Sequence, residues 1–290
     1  MENKTFTLNL STQEFLFLAA LIGARDIIGK EDPFLLDTKE IINEKWIYAR
    51  DSLAEKGYIS YSETGGVLID HLVASVISVC AEPEICLVIT STCTDAAYKT
   101  NFYISTLMAV ELYSSSTDNN TLLLYSTLPE ISVRIQELFK NAQCMTKDNS
   151  CIKSISIPDS VYDQFLSQTK DSQTDSAASL LVQTGIDKET SEAVSLALSS
   201  PAVQTTFFLL ENMDEIDVTG KGFALIGGNS GIWKIAPSDD VQEDFVDILP
   251  CTYEMLQEET QFLIDKISSV YLFDDTETLE MWNELLSPLS

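Results

Sequence analysis

The chain has 290 residues, and 17 Lys and Arg against 45 Asp and Glu leave a formal net charge of −28. A surface this negative repels phosphate backbones and anionic membrane faces, which are held mainly by Lys and Arg, and so argues against nucleic acid and membrane as partners. The 45% hydrophobic content, with 13 Phe, 10 Tyr and 3 Trp, supplies material for a real core and excludes a disordered acidic polypeptide.

The segment Met1 to Phe6 lacks a basic stretch and a small-residue cleavage site, so no signal peptide is expected. The longest apolar runs, Phe15 to Ile22 and Leu72 to Cys80, fall short of the roughly 20 residues a bilayer needs. A cytoplasmic protein is the expectation. Six cysteines (Cys80, Cys86, Cys93, Cys144, Cys151 and Cys251) form no C-x-x-C pair and read as reduced, buried thiols.

Phe6, Leu8 and Leu10 alternate as a strand, and Ser11 with Glu14 makes a capping box that turns the strand directly into a helix. Ile41, Ile42, Trp46, Ala49 and Leu53 predict a helix from Thr38 to Lys56, stopped by Gly57. Tyr58, Ile59 and Tyr61 form a short strand before Gly65-Gly66, and a third helix over Leu72 to Cys80 ends ahead of Pro83. The period then changes. Glu84 to Thr90, Tyr98 to Ile104, Thr106 to Tyr113 and Thr121 to Ser126 read as an antiparallel meander with a turn at Ser115 to Asn120. Leu128-Pro129-Glu130 opens a helix carrying Ile131, Val133, Ile135, Leu138 and Phe139, with proline suited to the first turn.

The polar stretch Asn141 to Lys153 marks the boundary between an N-terminal half, 1–145, and a C-terminal half, 146–290, expected to form one integrated unit. Ile155 and Ile157 begin again as a strand, Asp159 or Ser160 caps a helix with Val161, Phe165 and Leu166, and further helices follow at Thr174 to Thr184 and Lys188 to Leu198. Strands return at Val203 to Leu210, Phe223 to Ile226 and Ile232 to Ile235, with Gly227 to Gly231 as a hairpin turn. Pro237 and Asp239 are predicted to open a helix with Val241, Phe245, Val246 and Leu249, in the place of the Pro129 helix. The same order of elements thus occurs twice, with a period that fits two quasi-equivalent halves rather than a solenoid.

Catalytic signatures are missing, and no enzymatic activity, cofactor or metal is expected. His71 is the single histidine, at the start of an apolar helix, and reads as structural; one His with scattered Cys cannot assemble a zinc cluster. Gly228-Asn229-Ser230-Gly231 lacks nucleophile-elbow spacing, Gly220-Lys221-Gly222 lacks phosphate-loop spacing and reads as a turn, and Asp239, Asp240, Glu243, Asp244 and Asp247 read as the solvated face of a helix. Helix, short strand, Gly-Gly and strand over Thr38 to Asp70 allow a winged helix, but Glu40, Glu44, Asp51 and Glu55 balance Lys39, Lys45, Arg50 and Lys56, so a DNA-reading surface is not expected.

Several segments resemble one family. Phe6-Thr7-Leu8-Asn9-Leu10-Ser11 to Leu21, Ala49 to Ile59, and Ala81-Glu82-Pro83-Glu84 are similar to the N-terminal half of the ESX secretion-associated proteins, the EspG family of type VII secretion chaperones. Ser154-Ile155-Ser156-Ile157-Pro158 and Gly231-Ile232-Trp233-Lys234-Ile235-Ala236-Pro237-Ser238 resemble its C-terminal half. The richness in Ile, Lys, Asn and Ser sets this chain apart from actinobacterial members, as a distant Firmicutes-type relative. The resemblance implies an α+β fold: a central antiparallel β-sheet flanked by two helical bundles in quasi-twofold related halves. It further implies a non-enzymatic cytosolic chaperone or adaptor that keeps helical-hairpin secretion substrates (WXG100-like, LXG-type or PE–PPE-like) soluble and export-competent. By position, the partner contacts would come from the sheet turn around Thr92, Cys93, Thr94, Asp95, Ala96 and Tyr98, and from Tyr271, Phe273, Met281, Trp282 and Leu285 near the end of the sequence. An acidic immunity protein that neutralises a secreted toxin is the alternative, and a winged-helix-like regulator the second.

Overall fold

The computed structural model describes residues 6–24, 27–30, 34, 37–93, 96–114, 118–143, 153–170, 173–211, 219–228, 231–238 and 244–270. The first half runs β1 (Phe6–Ser11), α1 (Thr12–Leu21), α2 (Lys39–Glu55), β2 (Ile59–Tyr61), β3 (Val67–Ile69), α3 (His71–Ala81), β4 (Ile85–Cys93), β5 (Ala96–Ile104), β6 (Ala109–Ser114), β7 (Asn119–Tyr125) and α4 (Leu128–Gln143). The second runs β8 (Ile155–Pro158), α5 (Asp159–Lys170), α6 (Thr174–Gln183), α7 (Lys188–Ser199), β9 (Val203–Glu211), β10 (Thr219–Gly228), β11 (Gly231–Pro237), β12 (Phe245–Pro250) and α8 (Tyr253–Val270). Apart from the β2–β3 hairpin, the halves match element for element.

All strands but that hairpin join one antiparallel sheet in the order β1-β7-β6-β5-β4-β9-β10-β11-β12-β8. The order is a palindrome of equivalent strands, so a quasi-twofold axis passes between β4 and β9, which pair from Ile85↔Glu211 to Cys93↔Val203. Side chains alternate across a strand, so the register assigns each residue to a face. Arg134 of α4 binds Glu111 of β6, and Lys234 of β11 binds Glu259 of α8, which puts α4 and α8 together on one face. Cys80 of α3 lies beside Tyr103 and Cys86 on the other face, where Ile226, Trp233 and Ile235 pack with Phe165, Leu181 and Val194 of the second bundle. The bundles α1–α3 and α5–α7 therefore sit side by side on one face, while α4 and α8 cover the opposite one.

Local chemistry sets the first elements as predicted. Ser11 Oγ accepts from Glu14 N–H and the Glu14 carboxylate accepts from Ser11 N–H. The Glu14 side chain is only 2% exposed, and its carboxylate also takes the Lys56 ammonium at 2.7 Å and the Ser52 hydroxyl at 2.7 Å. Burial pushes this carboxyl up, but the hydrogen bonds from Lys56, Ser11 and Ser52 outweigh burial and hold it below the ordinary value. A depressed carboxyl stabilises the fold above its unfolded pKa of about 4.3, and that contribution is lost as pH falls through the folded value. Lys56→Met is therefore expected to lower stability at neutral pH, with the gap to the wild type closing below about pH 4 in urea unfolding followed as a function of pH.

Several expectations are corrected. The helix predicted from Pro237 is instead strand β12, with Val246↔Ile157 and Ile235↔Ile248 in register; its Val246 and Ile248 are buried because both neighbours supply a ladder. Asp247 accordingly lies on a strand and Asp244 precedes it, whereas 239–243 lie outside the described residues. The helix equivalent to α4 is α8, buried through Leu256, Thr260, Leu263 and Ile267. Asn119 and Asn120 belong to β7 rather than to a turn, and buried Asn120 ties Thr12, Ser114 and Lys30 together. Thr106 to Met108 form a turn closed by Ser105, not strand. Gly220-Lys221-Gly222 lies inside β10. His71 is exposed at the first position of α3.

The β10–β11 hairpin depends on Gly227, where an added Cβ would run into the Gly231 carbonyl oxygen, a backbone atom that cannot swing aside. Gly227→Ala is expected to cost at least ~1 kcal/mol and to lower the melting temperature by about 2–4 °C in a thermal scan.

Candidate partner-binding surface

The gap between the two bundles leaves the middle of the sheet open on one face. On β9, Val203, Thr205, Phe207 and Leu209 are buried against α4 and α8, while Gln204, Thr206 and Phe208 between them are exposed, Phe208 to 43%. Register sets Val88, Thr90 and Thr92 of β4 beside them on the same face, with Thr90 and Thr92 exposed. Gly220 and Gly222 of β10 complete the strip: an added Cβ at Gly222 would come within 2.7 Å of the Phe208 ring, so the absence of side chains lets that ring lie flat across β10. On the opposite side of the same strands the axis is closed by a hydroxyl pair, Ser91 with Thr205, at 2.8 Å.

The strip is chemically unlike the rest of the chain. Its β4 and β9 side chains are Val, Thr, Thr, Gln, Thr and Phe, without a carboxylate, in a protein of net charge −28. The neighbouring cation is Lys99, across from Thr90, whose ammonium donates to the Gly29 carbonyl at 2.7 Å. An apolar ring ringed by hydroxyls and an amide suits a partner with a small apolar tip and polar shoulders.

Of the positions predicted from sequence, Thr92 lies on this strip. Cys93 and Tyr98 are half-buried on the opposite face, Tyr98 packed against the core under α4 and α8. Ala96 begins β5, and Thr94 and Asp95 lie outside the described residues, as do Tyr271, Phe273, Met281, Trp282 and Leu285. The last turns of α8 sit where Lys266 binds Glu211 at 2.8 Å, at the end of β9 that pairs with the start of β4. That end is eight residues of strand from Cys93, about 26 Å away, so α8 and the β4–β5 hairpin finish at opposite ends of the sheet. Gln204, Thr206 and Phe208 escaped the sequence reading; their alternation with buried Thr205 and Phe207 is the signal that was there.

Three of the four described cysteines are held as thiols by burial. Burial pushes the Cys86 and Cys251 thiols up to about 12 and Cys80 well above its usual range, which withholds the reactive thiolate. Among the described residues no group of three or more His, Cys, Asp or Glu is placed to hold a metal ion. Among them also, no helix is long and apolar enough to cross a membrane.

Fold and surface together define a two-half, single-sheet α+β scaffold with an open strip on its axis. No family model matches the sequence, and no curated protein matches it. Among solved structures, the chain is similar to the type VII secretion system chaperone EspG5 of Mycobacterium tuberculosis, determined in complex with a PE25–PPE41 dimer. The TM-score is 0.63 at 15% identity, covering 90% of this chain and 96% of that one. The fold is EspG-like over that share of the chain, as the sequence resemblance implied.

Proposed function

We propose that this protein is a non-enzymatic cytoplasmic chaperone that binds helical-hairpin substrates of a type VII secretion system and keeps them soluble and export-competent. The observation that carries this reading is the likeness, over 90% of the chain, to a chaperone whose structure holds a PE25–PPE41 dimer. The physical rationale is that an apolar helical tip aggregates unless covered, and a strongly acidic carrier stays soluble while offering a surface free of carboxylates. The strip around Phe208 is the face assigned to that tip, with WXG100-like, LXG-type or PE–PPE-like hairpins as the substrate class.

The test is co-expression with helical-hairpin proteins encoded nearby, followed by size-exclusion chromatography. The wild type is expected to elute as a stable complex, and Phe208→Asp to lose at least about tenfold in affinity while keeping one cooperative unfolding transition, its midpoint lowered only by the ring's lost contact with β10. Failure to retain any hairpin would remove the proposal, and retention through a toxin domain instead would favour the immunity reading.

A further inference from the structure

The charge of α2 is near zero in sequence but segregated in space. Glu40, Glu44, Tyr48, Asp51 and Glu55 recur at intervals of four, four, three and four and so form one stripe, and all five are exposed. Ile41 and Ile47 flank the stripe, 42% and 44% exposed, and Tyr48 is 70% exposed at its centre. Two neighbouring cations are engaged off the stripe, Lys45 with Asp37 at 2.6 Å and Lys56 with Glu14 at 2.7 Å, while Lys39 opens the helix and Arg50 pairs with Asp51 at 2.8 Å, which leaves Glu40, Glu44 and Glu55 as the stripe's acids beside Tyr48. Like charges one turn apart, as in Glu40–Glu44 and Asp51–Glu55, disfavour a helix, and α2 tolerates two such pairs although only Ala49 and Leu53 are buried in it. Tyr48 also borders a cleft of about 520 Å³ shared with Asn9, Ser11 and Asn119.

We infer that this face of α2 docks a basic amphipathic helix of a protein partner. Its apolar side would lie on Tyr48 between Ile41 and Ile47, and Lys or Arg spaced by a turn would face Glu40 and Glu44. Charge complementarity selects that occupant: nucleic acid and anionic lipid are repelled, and a second copy related by a twofold would set the same carboxylates against each other. The 17 residues of α2 span about 25 Å, enough for four turns of a partner helix. The Lys56 ammonium contacts the Asn9 carbonyl, which places α2 at the β1 edge, four strands or about 19 Å from β4. The surface is thus separate from the Phe208 strip and independent of the chaperone reading.

The experiment uses the full chain and a fluorescein-labelled 21-residue Leu/Lys amphipathic helix as the probe, with its Leu/Glu counterpart as control, by fluorescence anisotropy at physiological salt. The expected result is saturable binding of the Leu/Lys peptide alone. Ile41→Ser/Tyr48→Ser and Glu40→Gln/Glu44→Gln should each weaken it about tenfold, while Glu189→Gln/Glu192→Gln on α7, equal in charge change to the latter, should alter it less than twofold. Every substituted side chain except Ile41 and Tyr48 is polar and all are exposed, and unchanged melting temperatures confirm intact folds. Equal weakening by the α2 and α7 charge variants would reduce the interaction to bulk charge, and absence of saturable binding would overturn the inference outright.

Discussion

Replacing Arg134 with leucine is expected to cost ~3–5 kcal/mol in urea unfolding, because it strands a carboxylate that has no access to water. Glu111 on β6 is fully buried. It receives Arg134 Nε at 3.0 Å and Nη2 at 2.8 Å, the Tyr125 hydroxyl at 2.5 Å and the Thr100 hydroxyl at 2.9 Å. Burial, with the Glu111 charge beside it, pushes the Tyr125 phenol up, so it remains a donor at any physiological pH. Removing the guanidinium leaves two neutral donors to hold a full charge. Glu111→Met/Arg134→Leu, which removes both charges, is expected to recover part of the loss, since the cost lies in the unpaired ion more than in the missing bond. A loss below about 1 kcal/mol for the single variant would mean that water reaches the site. The second half has a counterpart with inverted polarity: Arg134 is the seventh residue of α4, and Glu259, paired with Lys234 of β11, is the seventh of α8. Each helix is pinned to its own sheet half by an ion pair of opposite sense, a device that disfavours exchange of the two helices.

Much of this fold was legible because its signals are local. Ser11 and Glu14 cap α1, Thr38 and Gly57 bound α2, and Pro83 lies just beyond α3; each acts through its own backbone, and each falls where the sequence put it. The duplication was legible for the same reason, and correcting β12 sharpens it. That strand was misread because Val241, Phe245, Val246 and Leu249 also satisfy a helical period; what decides is the pairing of Phe245–Pro250 with β11 on one side and β8 on the other, a non-local fact. Leu256, Leu263 and Ile267 of α8 do carry helical spacing, although the sequence also offers Pro237 as the start of the helix equivalent to α4. The candidate site was the least legible part. Phe208 reads as one more apolar strand residue until the register sets it over Gly222, in a gap between bundles that no periodicity encodes. The face of α2 was hidden similarly, since Lys45 and Lys56 cancel its acids in a count but spend their charge on Asp37 and Glu14.

Phe207→Ala is expected to destabilise the whole chain by ~3–5 kcal/mol, in one transition rather than two. Phe207 of β9 is 1% exposed and stacks on Phe139 of α4 at 4.5 Å and on Phe223 of β10 at 4.9 Å, so one ring joins the helix of the first half to two strands of the second. The two halves share more than the β4–β9 ladder: Leu256, Leu263 and Ile267 of α8 belong to the same buried cluster as Leu87, Phe102 and Ile135. A cavity at that junction withdraws contacts from both sides at once, and the surrounding β-ladder leaves little room to collapse into it. If the halves form one cooperative unit, Phe207→Ala shifts a single denaturant transition with its slope unchanged, whether followed by far-ultraviolet circular dichroism or by tryptophan fluorescence. Trp233, buried at 1% against the α5–α7 bundle, reports on the second half, while Trp46, in edge contact with Phe17 at 5.7 Å, reports on the first. Single-tryptophan variants, Trp46→Phe and Trp233→Phe, each combined with Trp282→Phe, separate the two signals; coincident midpoints establish the integrated unit, and midpoints that diverge after Phe207→Ala would show two halves folding independently on either side of the axis.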